Sequence, residues 1–332
     1  MSVIKLFKKS AWKKCKIVLP EGEDVRILKA AVEAKKNKLA IPFFVGNKKE
    51  IEKTAKKLKV NLKGFKIIDI SKGIPARYIK EYRKIRKVPE QLAEKMLSNP
   101  LFLAMLMVKT GEAEGIVAGA VATSADVITS ATGIIGLRKG VSVPSSFFIM
   151  EIPGYRGSEG NLLLFADSSV NIELTAEQMA DVAVTTAYSA KEVMGWKPRV
   201  ALLSFSTKGS AIHERVDKVM EAAKIANKKA PKFAIDGELQ GDSALVEKIA
   251  KKKIKGKTGK VAGKANVLIF PDLDSGNISY KLVQTLAKAN AYGPILQGFE
   301  KPVSDLSRGA KTEDIIGAIA ILSAWAKRRR KK

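Results

Sequence analysis

Four short stretches set hydroxyls, glycines and cations directly ahead of runs that read as helices. They are VATSAD (121–126), STKGSA (206–211), DLDSGN (272–277) and DLSRGAKTED (305–314). At a helix start, free backbone N–H groups and the helix dipole favour an anion. Thr123, Ser124, Ser206, Thr207, Lys208 and Asn277 are the candidate contacts in the first three. The chemistry suggested is the holding of phosphate and acyl groups. Singly, each stretch is an ordinary turn or cap. Four in one chain, one carrying Lys208 and one Arg308, are harder to dismiss. The fourth places Ser307, Arg308 and Gly309 on a Pro/Gly-rich connection and Asp314 on the first turn of an apolar run. Thr312, Glu313 and Asp314 also suit an acidic first turn that only stabilises its helix.

These loops need strands behind them and helices ahead. Short β-rich runs alternate with amphipathic runs along most of the chain. KIVLP (16–20) precedes a helix from Asp24 to about Lys36, and IPFFVG (41–46) a helix through KLKV. KIIDI (66–70) precedes a basic helix over 77–87, then a longer one broken near Pro100. GIVAGA (115–120) precedes a helix from about Ala125. VPSSFFIMEI and NLLLFAD read as neighbouring strands, and TAEQMADVAVTTAYSAKEVMG as a long helix capped by Thr175 and closed by Gly195. RVALLSF, KFAID and ANVLIFPD read as buried strands, GPILQG as the last strand and TEDIIGAIAILSAWA as the last helix. The alternation predicts an α/β fold with mostly parallel sheets and helices on both faces. Back-to-back strands near 144–166 break the rhythm and put a domain boundary near 140. If the last strand and helix return to the first domain, the domains are 1–140 with 297–332, and 141–296, with a cleft between them.

The 332 residues include 60 Lys and Arg against 33 Asp and Glu, a net charge of +27. Such a field attracts nucleic acid, anionic lipid or phosphorylated small molecules. Most of the lysines read as solvated, serving solubility or heat tolerance. Aromatics are only 6%, with no stacking platform or recognition helix, so nucleic acid is not expected as a partner. The single Cys15 excludes an intramolecular disulfide and fits a reducing compartment. The single His213 excludes a multi-His metal site and is given no role. MSVIKLFKKSAWKKCK reads as a basic amphipathic helix without an apolar run suited to a signal peptide or membrane span. A cytoplasmic protein without a membrane partner is expected. KKKIKGKTGKVAGK (251–264) and KRRRKK (327–332) are low-complexity, the latter read as a frayed, solvated end.

No Gly-x-Gly occurs, so the dinucleotide fingerprint is absent. GKT at 256–258 fails as a P-loop because Lys251 stands where the pattern needs Gly. There is no G-x-S-x-G elbow and no Cys/His cluster.

The runs VAGKANVLIFPDLDSGNISYK, AYGPILQG, KPVSDLSRGAKTEDI, LSFSTKGSA and DGELQ resemble phosphate acetyltransferase (phosphotransacetylase), of the phosphate acetyl/butyryl transferase family. LPEGEDVRILKA and LLFADSSVN fit as well, so the resemblance covers nearly the whole chain. It implies two α/β/α domains, the first completed by the C-terminal segment, an active site in the cleft, and a homodimer. It also implies reversible acetyl transfer between coenzyme A and inorganic phosphate by way of acetyl phosphate. Coenzyme A is then a substrate, with no permanently bound cofactor, redox group or metal. The family's catalytic residues fall on Ser307, Arg308 and Asp314. Asp314 would take the thiol proton, Ser307 would hydrogen-bond the thiolate or tetrahedral centre, and Arg308 would hold the phosphoryl and carbonyl oxygens. Charge developing on those oxygens suits a guanidinium fork, and the thiol must lose its proton to attack. A carboxylate of reference pKa about 3.9 is a weak base for a thiol near about 8.5, so proton loss is expected to accompany attack.

Two coenzyme-A arginines of the family match incompletely. Thr129, in VITSATGII, stands at one position, and the nearest arginine beyond it is Arg138. Arg86, in IRK (85–87), matches the other, but the H-K-G that follows in the family is missing. Lysines of 251–264 are offered as replacement phosphate contacts. GLRKG is similar to a run of phosphate butyryltransferases, whereas SRG…TED is closer to the acetyl enzymes. The acetyl reading is preferred. The alternatives are butyryl transfer or a non-catalytic member that binds acyl phosphate or coenzyme A.

Overall fold

A computed structural model describes residue 7 and residues 10–330. The expected N-terminal amphipathic helix lies mostly outside the described residues. The chain divides into two compact units, residues 1–137 with 299–332, and residues 138–298.

In chain order, the first unit holds β1 (Lys16–Leu19), α1 (Val25–Lys36), β2 (Ile41–Gly46), α2 (Lys48–Lys57), β3 (Ile67–Asp69), α3 (Ala76–Arg86), α4 (Glu90–Leu97), α5 (Pro100–Lys109), β4 (Gly115–Ala118) and α6 (Ser124–Ser130). The second holds β5 (Ser145–Glu151), β6 (Leu162–Ala166), α7 (Ala176–Ser189), β7 (Arg199–Leu203), α8 (Glu214–Lys229), β8 (Ala234–Leu239), α9 (Gly241–Leu245), α10 (Glu247–Lys253), β9 (Val267–Ile269), α11 (Leu273–Leu286) and β10 (Asn290–Gln297). The chain then returns to the first unit with β11 (Val303–Asp305) and α12 (Thr312–Arg330).

Strands of the first unit run β3-β2-β1-β4-β11, all parallel. β4 is buried along its length, which is what a central parallel strand covered by helices requires. α12 lies against α1 and β4 and buries Ile315 and nearly every residue from Gly317 to Ala326. A helix apolar on all sides belongs in a core, and each Leu or Ile so buried contributes about 1.5–3 kcal/mol. Strands of the second unit run β10-β5-β6-β9-β7-β8. The pairs β10–β5 and β5–β6 are antiparallel and the rest parallel. The fold is thus the mostly parallel α/β arrangement that the alternation predicts.

Helix starts follow local chemistry. Thr175 and Gln178 form a capping box on α7, and the Asp24 carboxylate accepts from Arg26 and Ile27 N–H on α1. Two expectations need correction. KPVSDLSRG carries a further short strand, β11, so GPILQG is not the last. The tail is not frayed through residue 330, because α12 continues to Arg330, with Arg329 over the Trp325 ring and Arg330 over that of Trp12. Basic residues in a last helical turn also suit the helix dipole.

Candidate active site

The first unit brings two of the four loops together. After β4, residues 119–122 turn back onto the side chain of Glu21, just past β1. The N–H groups of Gly119, Val121 and Ala122 donate to its Oε1 at 3.2, 3.0 and 2.8 Å, and that of Ala120 donates to Oε2 at 2.9 Å. Successive N–H groups converging this way form an anion-binding nest. The donors expected to meet a ligand here are instead taken by the chain's own carboxylate. Thr123 and Asp126 form the capping box of α6.

The next residue, Ser124, donates its hydroxyl to Oδ2 of Asp305. Asp305 ends β11 at 1% exposure, and its Oδ1 is buried without a partner among the described residues. Burial pushes its carboxyl up from the ordinary 3.8 to about 6, against the hydrogen bond from Ser124 and with help from the Glu21 charge. The unfolded chain releases this proton near 3.8, whereas the native state keeps it to about 6. Between those values the native state binds more protons, so this group reduces stability as pH rises through the window. Two pKa units at about 1.4 kcal/mol each set the scale at about 3 kcal/mol. Asp305→Asn is expected to remove that decline between pH 4 and 6 in urea unfolding. An unchanged pH slope would place the ionisation elsewhere.

Arg26 ties the two loops. Its Nη1 donates to the carbonyl oxygens of Arg308 at 2.6 Å and Ala310 at 3.0 Å, and its Nη2 to that of Ala120 at 2.9 Å. Asp24 grips the same guanidinium through Nε at 3.0 Å and Nη2 at 2.8 Å. Burial works to raise the Asp24 carboxyl, but the Arg26 hydrogen bonds and charge hold it below its usual range. The backbone carrying Ser307 and Arg308 is therefore braced, while both side chains stay exposed. Ser307 Oγ accepts from Gly309 N–H at 3.2 Å. Arg308 has no ion pair among the described residues. Asp314, exposed on the first turn of α12, accepts from Lys311 N–H at 2.9 Å. It caps its helix, as an acidic first turn would, and remains open to solvent.

Arg86 ends α3, and its guanidinium lies over Gly133, 2.8 Å from where a Cβ would stand. Gly133 belongs to the π-helical turn Ala131–Ile135 that continues α6, one turn beyond exposed Thr129. Arg138, in the second unit, is paired with Glu192 at 3.0 Å.

In the second unit Ser206 and Thr207 are buried. Ser206 donates to Glu238 at 3.0 Å, and Thr207 meets Ser243 at 2.7 Å and Gln240 at 3.1 Å. These hydroxyls hold their loop in shape. Lys208 pairs with Asp236 and donates to Gly237 O at 2.9 Å. Asn277, on α11, donates to Ser168 O at 3.2 Å. Ser204, Phe205, Asp272 and Ser275 help line a cavity of about 500 Å³ at these strand ends. His213 does have a role, as N-cap of α8, its Nδ1 accepting from Arg215 N–H at 3.1 Å.

Sequence reasoning missed Glu21, Asp24, Arg26 and Asp305. The signal available was EGEDVR directly after a strand, where α/β folds place ligand loops. Among the described residues no helix is long and apolar enough to cross a membrane, and no group of three or more His, Cys, Asp or Glu could hold a metal.

Residues 2–323 match the family model described as phosphate acetyl/butaryl transferase. A phosphate acetyltransferase of Thermoanaerobacterium thermosaccharolyticum is 46% identical over 331 residues, covering 98% of this chain and 100% of that one. A phosphotransacetylase structure from Streptococcus pyogenes superposes with a TM-score of 0.90 at 39% identity, covering 98% and 99% of the two chains. One from Staphylococcus aureus gives 0.88 at 38%, covering 98% of each. With the braced Ser-Arg loop and these matches along almost its full length, the chain belongs to the phosphate acetyl/butaryl transferase family.

Proposed function

We propose that the protein is a phosphate acetyltransferase, interconverting acetyl-CoA and phosphate with coenzyme A and acetyl phosphate. The observation that carries this is the exposed Ser307–Arg308 pair on a backbone held by Arg26, followed by the exposed carboxylate of Asp314. In the direction of thioester synthesis, the coenzyme A sulfur attacks the carbonyl carbon of acetyl phosphate. The S–C bond forms, the C–O bond to phosphorus breaks, and phosphate leaves with the bonding pair. Asp314 receives the thiol proton as attack proceeds and returns it to phosphate or water. Arg308 offers its planar donors to the carbonyl and phosphoryl oxygens, where negative charge grows. Ser307 donates to the tetrahedral centre or the sulfur. Arg86 is the cation offered to the phosphates of coenzyme A. Thr123, Ser124, Ser206, Thr207, Lys208 and Asn277 support the substrate loops, several of them by shaping backbone.

The two units serve as the two domains of the enzyme, the first completed by β11 and α12. The working form is a cytoplasmic homodimer that needs no permanently bound cofactor. Ile278, Leu282 and Leu286 make an exposed apolar stripe at helical spacing on α11, suited to meet a second copy.

The test is to mix purified protein with coenzyme A and either acetyl phosphate or butyryl phosphate and follow thioester formation. Faster acetyl transfer is expected. A butyryl preference would move the protein to the sister activity, which exposed Thr129, with no cation of its own, leaves open as the second reading. No turnover with either substrate would overturn the catalytic assignment.

A further inference from the structure

The lysine-rich stretch 251–264 has no place in the acetyl-transfer scheme. Its first part is accounted for locally, since Lys251 pairs with Glu247 at 2.9 Å and Lys253 with Asp242 at 2.7 Å. Its far end is different. Gly259, Lys260 and Lys264 form one wall of a recess of about 640 Å³ in the second unit. Arg199, which begins β7, and Ala234, which begins β8, form other walls, and Lys264 lies just ahead of β9. The recess therefore sits at the starts of three parallel strands. The loops 206–211 and 272–277 leave the opposite ends of those strands. Lys260 and Lys264 thus lie at the far ends of those strands from the two loops.

Six residues lining the recess are Lys or Arg, and none is Asp or Glu. In a chain with 60 basic and 33 acidic residues, an ordinary mixed surface would carry acids among them. Only Arg199 and Lys264 find carboxylates, Glu159 at 2.9 Å and Glu247 at 3.7 Å. Lys191, Lys197, Lys232 and Lys260 have no ion pair among the described residues. The Lys232 ammonium rests over the rings of Tyr188 and Phe233, at 4.7 and 5.4 Å, which hold it in place and leave its charge uncompensated. Half-buried Trp196 supplies an apolar side. The volume is that of a small-molecule site. Four uncompensated ammonium groups beside an indole complement a molecule with several phosphates and one flat ring.

We propose that this recess binds a nucleoside triphosphate, with the phosphates among Lys191, Lys197, Lys232 and Lys260 and the base against Trp196. The phosphoadenosine end of coenzyme A shares this chemistry, so the test must separate the two sources. ATP would be titrated calorimetrically into the full chain at low salt, with coenzyme A present in saturating excess. One ATP per chain is expected, with affinity falling as salt rises. A Lys197→Glu/Lys232→Glu variant should bind ATP at least about tenfold more weakly while keeping parental acetyl-transfer activity. Trp196→Ala should weaken ATP several-fold and leave inorganic tripolyphosphate unchanged. Loss of ATP binding in the presence of coenzyme A, or undiminished binding by the double variant, would overturn the proposal. So would equal affinity for tripolyphosphate and ATP in the parent protein.

Discussion

Arg308→Ala is expected to lower kcat for thioester formation about 100- to 1,000-fold, the usual loss when one donor to a developing oxyanion is removed. The fold should survive. The Arg308 side chain is exposed and has no ion pair among the described residues. What secures the loop is its main chain, whose carbonyl oxygens at 308 and 310 accept from Arg26. Alanine keeps those carbonyls, so stability should stay within about 0.5 kcal/mol of the parent. Arg308→Lys should recover part of the rate, because it restores the charge without the two-pronged geometry. Steady-state kinetics alongside urea unfolding separates the chemical loss from a structural one. If Arg308→Ala retains kcat within a few-fold of the parent, the guanidinium does not stabilise the transition state.

Arg26 is the complementary case. It touches backbone on both loops and is itself gripped by Asp24. Its place is structural support for groups that act, and the Glu21 nest has the same character. Glu21 and Arg26 thus fix main chain, while exposed Arg308 and Asp314 near them are free for the proposed chemistry.

The α/β alternation was legible because most strands are continuous apolar runs and six of the twelve helices among the described residues start at a Thr, Asp or Asn cap. The Ser307–Arg308 loop stood out as a candidate for the opposite reason, since polar side chains interrupt buried elements there. β11 was not legible. It is three residues long and includes Ser304 and Asp305, both buried, so it shows neither period nor hydrophobicity. The buried carboxylates were hidden too. Glu21 meets donors 98 to 101 residues away, and Arg26 reaches a carbonyl 282 residues away. Local pattern carries no information at such separations. The lysines of 251–264 were legible only as loose phosphate contacts, and two of them, Lys260 and Lys264, line a recess because the chain returns to the start of β9.

Gly119→Ala should be the most disruptive small substitution in the first unit, both to folding and to turnover. Gly119 follows β4 with φ +102, a conformation that costs an L side chain about 1–3 kcal/mol. A Cβ there would also stand 2.2 Å from Asp305 Oδ1, 2.7 Å from Leu306 N and 2.8 Å from Leu306 O. Two of those atoms are backbone and cannot swing away, so overpacking adds about 1–3 kcal/mol. The displaced chain is the β4–β11 junction, where Leu306 N–H donates to Ala118 O at 2.8 Å, and Ser307 is the next residue. Gly119 also donates to Glu21, so a shift would loosen the nest. The control is Gly73→Ala, where φ is +93 but a Cβ would meet nothing within 4 Å. It carries the conformational cost alone and should leave kcat unchanged. Urea unfolding and kcat measured on both variants separate strain from collision. Equal destabilisation, with kcat preserved in Gly119→Ala, would mean that the β4–β11 junction tolerates a side chain and does not set the position of the Ser307–Arg308 loop.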